Sequence, residues 1–238
     1  MAKTKKSSKI KIGEFEKFLK TVDLKSYRKK YSNIKIVEMD LSKDIQAIKL
    51  LYEVYWDEKE FISFDDFYKR YLEDKKEQLE RFRLKSTMCK DCFSRGLKAR
   101  IYRTWAGLIT QIHAGYVAES VFGKGTVSMS AELDSQGADI RVGYKGFFLN
   151  YQVKKTSHSG VMSRRPLPRK QKLEGESIDI KYEVPACLSD PKTKKGKFRQ
   201  PYLRFLEDKR TRVFDNGFVV FTIDAFIEKK KKIDKDLE

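Results

Sequence analysis

ELDSQGADIRVGYKGFFLNYQVKK, residues 132–155, is the stretch around which this chain is organised. Ala138–Tyr144 is one extended run, Lys145-Gly146 has the chemistry of a two-residue hairpin turn, and Phe147–Lys154 returns as a second strand. Side chains along a strand alternate between its faces. Phe147, Leu149, Tyr151 and Val153 therefore share an apolar face, and Asn150, Gln152 and Lys154 share a polar one. Asp139 opens the first strand and stands beside the end of the second when the two pair. An acid, a side-chain oxygen and an ammonium then converge on one point.

That convergence suits phosphodiester hydrolysis. The reaction calls for a divalent cation that neutralises the oxyanion and lowers the pKa of an attacking water. Mg²⁺ takes a few carboxylate or carbonyl oxygens and keeps several waters. A nearby lysine holds the water or stabilises charge on the phosphorane. The pattern Asp139…Gln152-x-Lys154 resembles the Asp…(Asp/Glu)-x-Lys signature of the restriction-endonuclease-like nuclease superfamily, with Gln152 in place of the usual acid. Asp134 and Glu132, just upstream, are acids able to restore the missing charge. So is Glu119, on the helix before the sheet, where nucleases of this superfamily often carry an acid. The plain alternative is that Asp139 caps a turn and Lys154 is merely solvated.

Composition sets the partner class. The 238 residues carry 52 Lys and Arg against 34 Asp and Glu, a formal charge of +18, which points to a polyanion and most simply to nucleic acid. Apolar residues at 40%, with 13% aromatics, argue for a folded core over a basic disordered chain. There is no apolar run of the length a membrane span needs, and basic Met1–Ile12 lacks the apolar core of a signal peptide. Three cysteines suit a reducing, cytoplasmic setting. Cys89-Lys-Asp-Cys92 has redox or metal spacing, but no matched second pair accompanies it, so both read as ordinary helix cysteines.

Outward from the hairpin, residues 1–12 form a basic arm and 13–122 a helical region. Residues 123–238 form a sheet core with basic loops, integrated with the helical region into one α/β unit. The spacing predicts helices over Glu14–Leu24, from an Asp40-Leu41-Ser42 cap through Val54, from Ser63 toward Leu84, and over Lys98–Phe122 ending at Gly123. Ile34–Met39 is a brief extended segment. His113 falls in the apolar stripe of the longest helix and reads as a core histidine. Ser177–Val184 and Gly217–Ile223 read as strands, Tyr202–Lys209 and Asp224–Glu238 as helices. Two basic loops offer DNA contacts: Arg164, Arg165, Arg169, Lys170 and Lys172 in the first, and Lys194, Lys195, Lys197 and Arg199 in the second.

Longer motifs extend the resemblance. FLKTVDLKSYRKKY (18–31), GLKAR (96–100) into YRTW (102–105), QIHAGYVAE (111–119) and, best of all, SAELD, GADIRV and NYQVKK within residues 130–155 look like the TaqI-type restriction endonucleases. The match spans most of the chain to about residue 160 and weakens in the basic C-terminal third. The resemblance implies a restriction-endonuclease-like mixed sheet flanked by helices and an Mg²⁺-dependent type II endonuclease. Such an enzyme cuts both strands of double-stranded DNA at a short palindrome, the family's usual target being TCGA. Asp134 and Asp139 match its two acidic positions, and Lys154 and Lys155 its lysine pair. Strand alternation favours Lys154, on the face of Gln152, with Lys155 the second choice. A palindrome has two-fold symmetry and each chain has one such hairpin, so a homodimer on DNA is expected. Two other readings compete: a structure-specific nuclease such as a junction resolvase, and a DNA-binding protein whose acids only shape the hairpin.

Overall fold

In the computed structural model, residues 11–31, 34, 41–156, 173–185, 188 and 191–238 are described. The hairpin forms as its sequence dictates. Lys145 and Gly146 both have positive φ (46° and 82°), the combination whose twist matches that of the flanking strands. β2 (Ile140–Tyr144) and β3 (Phe147–Thr156) pair antiparallel around this turn, from Ile140 opposite Tyr151 to Tyr144 opposite Phe147. β1 (Val127–Ser128) lines the outer side of β2, again antiparallel. β4 (Glu176–Glu183) runs parallel to β3, with Gln152 opposite Asp179 and Lys154 opposite Lys181. The result is a four-stranded mixed sheet in the order β1-β2-β3-β4. β5 (Thr211–Val213) and β6 (Val219–Phe221) make a separate antiparallel pair.

The helices are α1 (Ile12–Thr21), α2 (Leu24–Tyr31), α3 (Ile48–Tyr52), α4 (Phe64–Asp74), α5 (Lys76–Ser86), α6 (Lys90–Phe122), α7 (Ala131–Ser135), α8 (Gln200–Glu207) and α9 (Ile227–Asp236). At 33 residues α6 is about 50 Å long and touches both sheets. Its stretch from Ile112 to Glu119 is buried at every position, because elements pack against it from several sides. Gly115 is needed there, since a Cβ would collide with the Met129 thioether. One core cluster runs from Phe15 to Ile233 and joins the helical half to the sheets.

His113 is a structural link within that core. Its Nδ1 accepts the Phe221 amide at 3.3 Å, which leaves Nε2–H to donate to Glu16 Oε1 at 3.1 Å. Arg212 also reaches Glu16, at 2.6 Å. Burial holds His113 below the ordinary histidine range, while the His113 hydrogen bond, helped by Arg212, lowers Glu16 to about 2. A neutral ring thus ties α1, α6 and β6 together.

Several boundaries differ from the periodicity. The helix expected over Glu14–Leu24 is two helices, because Val22 turns extended. The cap at Ser42 opens only a 3₁₀ turn, Lys43–Ile45, since Gln46 is extended; α3 starts at Ile48 and runs into a π-helical turn, Glu53–Asp57. Ser63 does cap α4, accepting from the Asp66 amide, but the run toward Leu84 breaks at Lys75. α6 begins at Lys90, eight residues earlier than expected, because the Cys89 Sγ accepts the Cys92 amide at its N-terminus. Asp134 lies just upstream of the hairpin, in the short helix α7. Of the extended segment expected over Ile34–Met39 only Ile34 falls within the described residues.

Candidate active site

A helix-stop motif brings the two aspartates together. Ser130 Oγ caps α7 by accepting the Leu133 amide at 3.2 Å. Gly137, at φ 92°, ends it: its amide bonds to the Asp134 carbonyl, and the Ala138 amide to the Leu133 carbonyl. The chain then enters β2 with Asp139 folded back toward Asp134. The Asp139 amide bonds to the Tyr151 carbonyl at 2.9 Å, and Oδ2 accepts the Val153 amide at 2.6 Å. Asp139 thereby clamps β3 on either side of Gln152 and is 4% exposed.

The Asp134 and Asp139 carboxyl groups lie close enough for each to shift the other's titration. Burial is the main reason Asp139 is pushed up to about 7. The Asp134 charge adds to the rise, and the Val153 amide and Lys154 oppose it. Burial also raises Asp134. Two desolvated carboxyls in contact share a proton when no cation separates them. The Tyr52 hydroxyl, from the end of α3, is buried and without a hydrogen-bond partner in the structure. Burial, reinforced by the charges of Asp134 and Asp139, raises its pKa.

Lys154 lies close enough to act on Asp139, but its Nζ bonds to Asp179 Oδ2 of β4 at 2.7 Å. Asp179 is in register with Gln152, so Gln152, Lys154 and Asp179 occupy one face. Lys155 belongs to the opposite face, where it lines a cavity with Tyr102 and Thr110 of α6. Glu119 is buried and its Oε1 accepts the Gly125 amide at 3.0 Å, closing the turn after α6. Glu132 is exposed on the first turn of α7, where the helix start and Ser130 depress its pKa. Among the described residues no three acidic, histidine or cysteine side chains form a cluster able to hold a metal. The geometry thus brings Asp134, Asp139 and Lys154 near one another, commits Glu119 to the turn after α6, and leaves Glu132 exposed on α7.

Of the basic residues, Arg164, Arg165, Arg169, Lys170 and Lys172 lie outside the described residues. The second basic segment is a tight turn rather than a loose loop. The Thr193 amide bonds to the Lys197 carbonyl at 2.8 Å, Lys192 bridges Phe198, and Gly196 takes φ 76°. Lys194, Lys195 and Lys197 are exposed on it, and Arg199 caps α8.

Sequence reasoning missed Tyr52 and Asp179. The Tyr52 signal was an aromatic inside an apolar helix, indistinguishable there from core packing. Asp179 had a readable signal, since alternation in Ser177–Val184 sends it away from Ile178 and Ile180. Its partner was not readable, because parallel pairing with β3 crosses a long connection.

The comparisons with known proteins define the class. The chain belongs to the TaqI restriction endonuclease family, whose model matches residues 12–231, and it is a type II site-specific deoxyribonuclease. It is 32% identical over 235 residues to the Type II restriction enzyme TaqI of Thermus aquaticus, which covers 90% of this chain and 87% of that one. It is 30% identical over 222 residues to the Type II restriction enzyme TthHB8I of Thermus thermophilus, covering 87% and 82%. No solved structure matches the chain significantly. No helix among the described residues is long and apolar enough to cross a membrane.

Proposed function

We propose that this enzyme hydrolyses both strands of DNA at TCGA, with Mg²⁺ as cofactor and as a homodimer on its palindromic site. Type II restriction enzymes generally use a divalent metal. The observation that carries the metal assignment is the contact between Asp134 and Asp139. A carboxyl pair that must share a proton is a donor set that a divalent cation satisfies better, and the buried Tyr52 hydroxyl, which feels both charges, has no hydrogen-bond partner. Bound there, Mg²⁺ supplies charge neutralisation and a more acidic water.

The protein's own residues do the rest. Asp139, fixed by the Val153 amide, would hold the cation together with Asp134. Lys154 supplies an ammonium for the charge that develops on the phosphoryl oxygens, and Asp179 sets its position. Gln152, between the clamp points of Asp139, offers a neutral oxygen on the same face. Lys155 faces away, which supports Lys154 as the catalytic lysine. The exposed Lys194–Lys197 turn contributes phosphate contacts.

Digestion of a sequenced plasmid with Mg²⁺, followed by mapping of the ends, tests the reading. Discrete fragments ending within TCGA support it, whereas a smear or junction-specific cutting overturns it. Sedimentation with a cognate duplex in Ca²⁺ decides stoichiometry. One chain per duplex, with nicked circles preceding linear DNA, rules out the dimer.

A further inference from the structure

The opposite face of β3 carries a second group of cations. Lys155, Arg28 of α2 and Arg103 of α6 line one cavity of about 360 Å³, together with Tyr102, Thr110 and Tyr182. Among the described residues no lining side chain is acidic. Among the described residues none of the three cations is paired with a carboxylate, and the charge that Lys155 feels is the guanidinium of Arg28. Desolvation, the larger effect, and Arg28 together hold the Lys155 ammonium below the ordinary lysine range, although the residue as a whole is exposed.

The cluster is built rather than accidental. Arg28 Nη2 donates to the Gly217 carbonyl at 3.2 Å. Gly217 has φ 87°, and a Cβ there would lie 3.1 Å from Arg28 Nη1, so the turn leaves room for the guanidinium. Arg103 Nη1 reaches the Ile34 carbonyl at 3.4 Å. These bonds satisfy a few donors and neutralise no charge. Like charges drawn to one cavity repel, and an anion among them turns that repulsion into attraction.

We propose that the Arg28–Arg103–Lys155 cavity binds a backbone phosphate of the substrate DNA other than the one being cut. The inference rests on the endonuclease reading and adds a division of labour within β3. Lys154 serves the reacting phosphate on one face, and Lys155 anchors a neighbouring phosphate on the other. The ligand chemistry, a tetrahedral phosphate oxyanion, is shared by free inorganic phosphate, so the test includes both.

Binding of a cognate duplex is measured in Ca²⁺ across a salt series for the full chain and for Arg103→Gln, Lys155→Met and Arg28→Ala. Arg28 also ties the Gly217 turn, so the first two are the decisive variants, with thermal melts as a check on folding. Each should weaken duplex binding several-fold and reduce the salt slope by about 0.9. Asp139→Asn, measured alongside, should bind duplex tightly while cutting nothing. Wild-type affinity and slope in both decisive variants overturn the phosphate site, and Asp139→Asn still separates that failure from failure of the endonuclease reading. Loss of cutting in Lys155→Met with unchanged duplex affinity overturns it too, because Lys155 is then the catalytic lysine. Titration with inorganic phosphate forms the second arm. Phosphate binding abolished by Arg103→Gln, with duplex affinity untouched, assigns the cavity to the free ion and overturns the DNA contact.

Discussion

Lys154 and Asp179 meet at 2.7 Å across two parallel strands, on the same face as Gln152. Both side chains are partly exposed, at 40% and 35%, so the pair adds little to stability and its consequence lies in where it holds the ammonium. Asp179→Asn should lower the cleavage rate about tenfold with KM little changed, roughly 1.4 kcal/mol of lost transition-state stabilisation. Asp179→Glu should recover much of it. Adding Asp179→Asn to Lys154→Ala should then have no further effect. Additive losses would show that Asp179 acts other than through Lys154.

Asp139 makes stability and activity pull in opposite directions. Its carboxyl holds a proton to about pH 7 in the fold, against 3.8 ordinarily. The unfolded chain ionises first, so metal-free stability falls as pH rises from about 4 to about 7 and then levels off. Asp139→Asn keeps an acceptor for the Val153 amide and removes the buried charge. At pH 8 without metal it should be more stable than the wild type by ~1–3 kcal/mol, and it should not cut. Ca²⁺ should raise the melting temperature of the wild type only. An equal rise in both proteins would move the metal away from Asp139.

Tyr52 offers a hydroxyl with no partner that feels the charges of two acids. If this hydroxyl serves the reaction, Tyr52→Phe should reduce kcat by about tenfold without weakening duplex binding in Ca²⁺. A buried hydroxyl that serves only packing is lost at little cost, so unchanged kcat would assign Tyr52 to the core.

Acid should unlock the Glu16–His113–Arg212 link. Glu16 titrates near 2 in the fold against 4.5 ordinarily, so its contribution is complete above about pH 4.5 and is lost as pH falls toward 2. His113, kept neutral by burial, acts in the same direction, since the unfolded chain takes up its proton below about 6.5. Glu16→Gln should cost ~1–3 kcal/mol at pH 7 and flatten the acid limb of a denaturation series. A limb unchanged in slope would place the acid sensitivity elsewhere.

The site was legible in the sequence where local rules settle it. Lys145-Gly146 fixed the hairpin by backbone chemistry, and the hairpin fixed which residues of β3 share a face. Asp139 could be placed at its mouth for the same reason. What local rules do not reach is pairing between distant segments. Alternation sent Asp179 to a polar face without saying which strand that face adjoins. Glu119 looked free until the Gly123–Gly125 turn came back to claim it. Asp134 was drawn to Asp139 by a helix stop at Gly137, in a stretch too short for periodicity to register as a helix. Cys89 is the converse case: despite its redox-like spacing it reads as an ordinary helix cysteine, and it caps α6.

Lys154 and Lys155 are neighbours in the chain and strangers in space, and this gives the hairpin a parity. A length change of one residue between the Asp139 clamp and the two lysines would exchange them, turning the ammonium of one face into that of the other. A change of two would return each to its own face, displaced by about 6.6 Å along the strand. Chain variants in this segment should therefore sort by odd and even according to which lysine shares the face of Gln152.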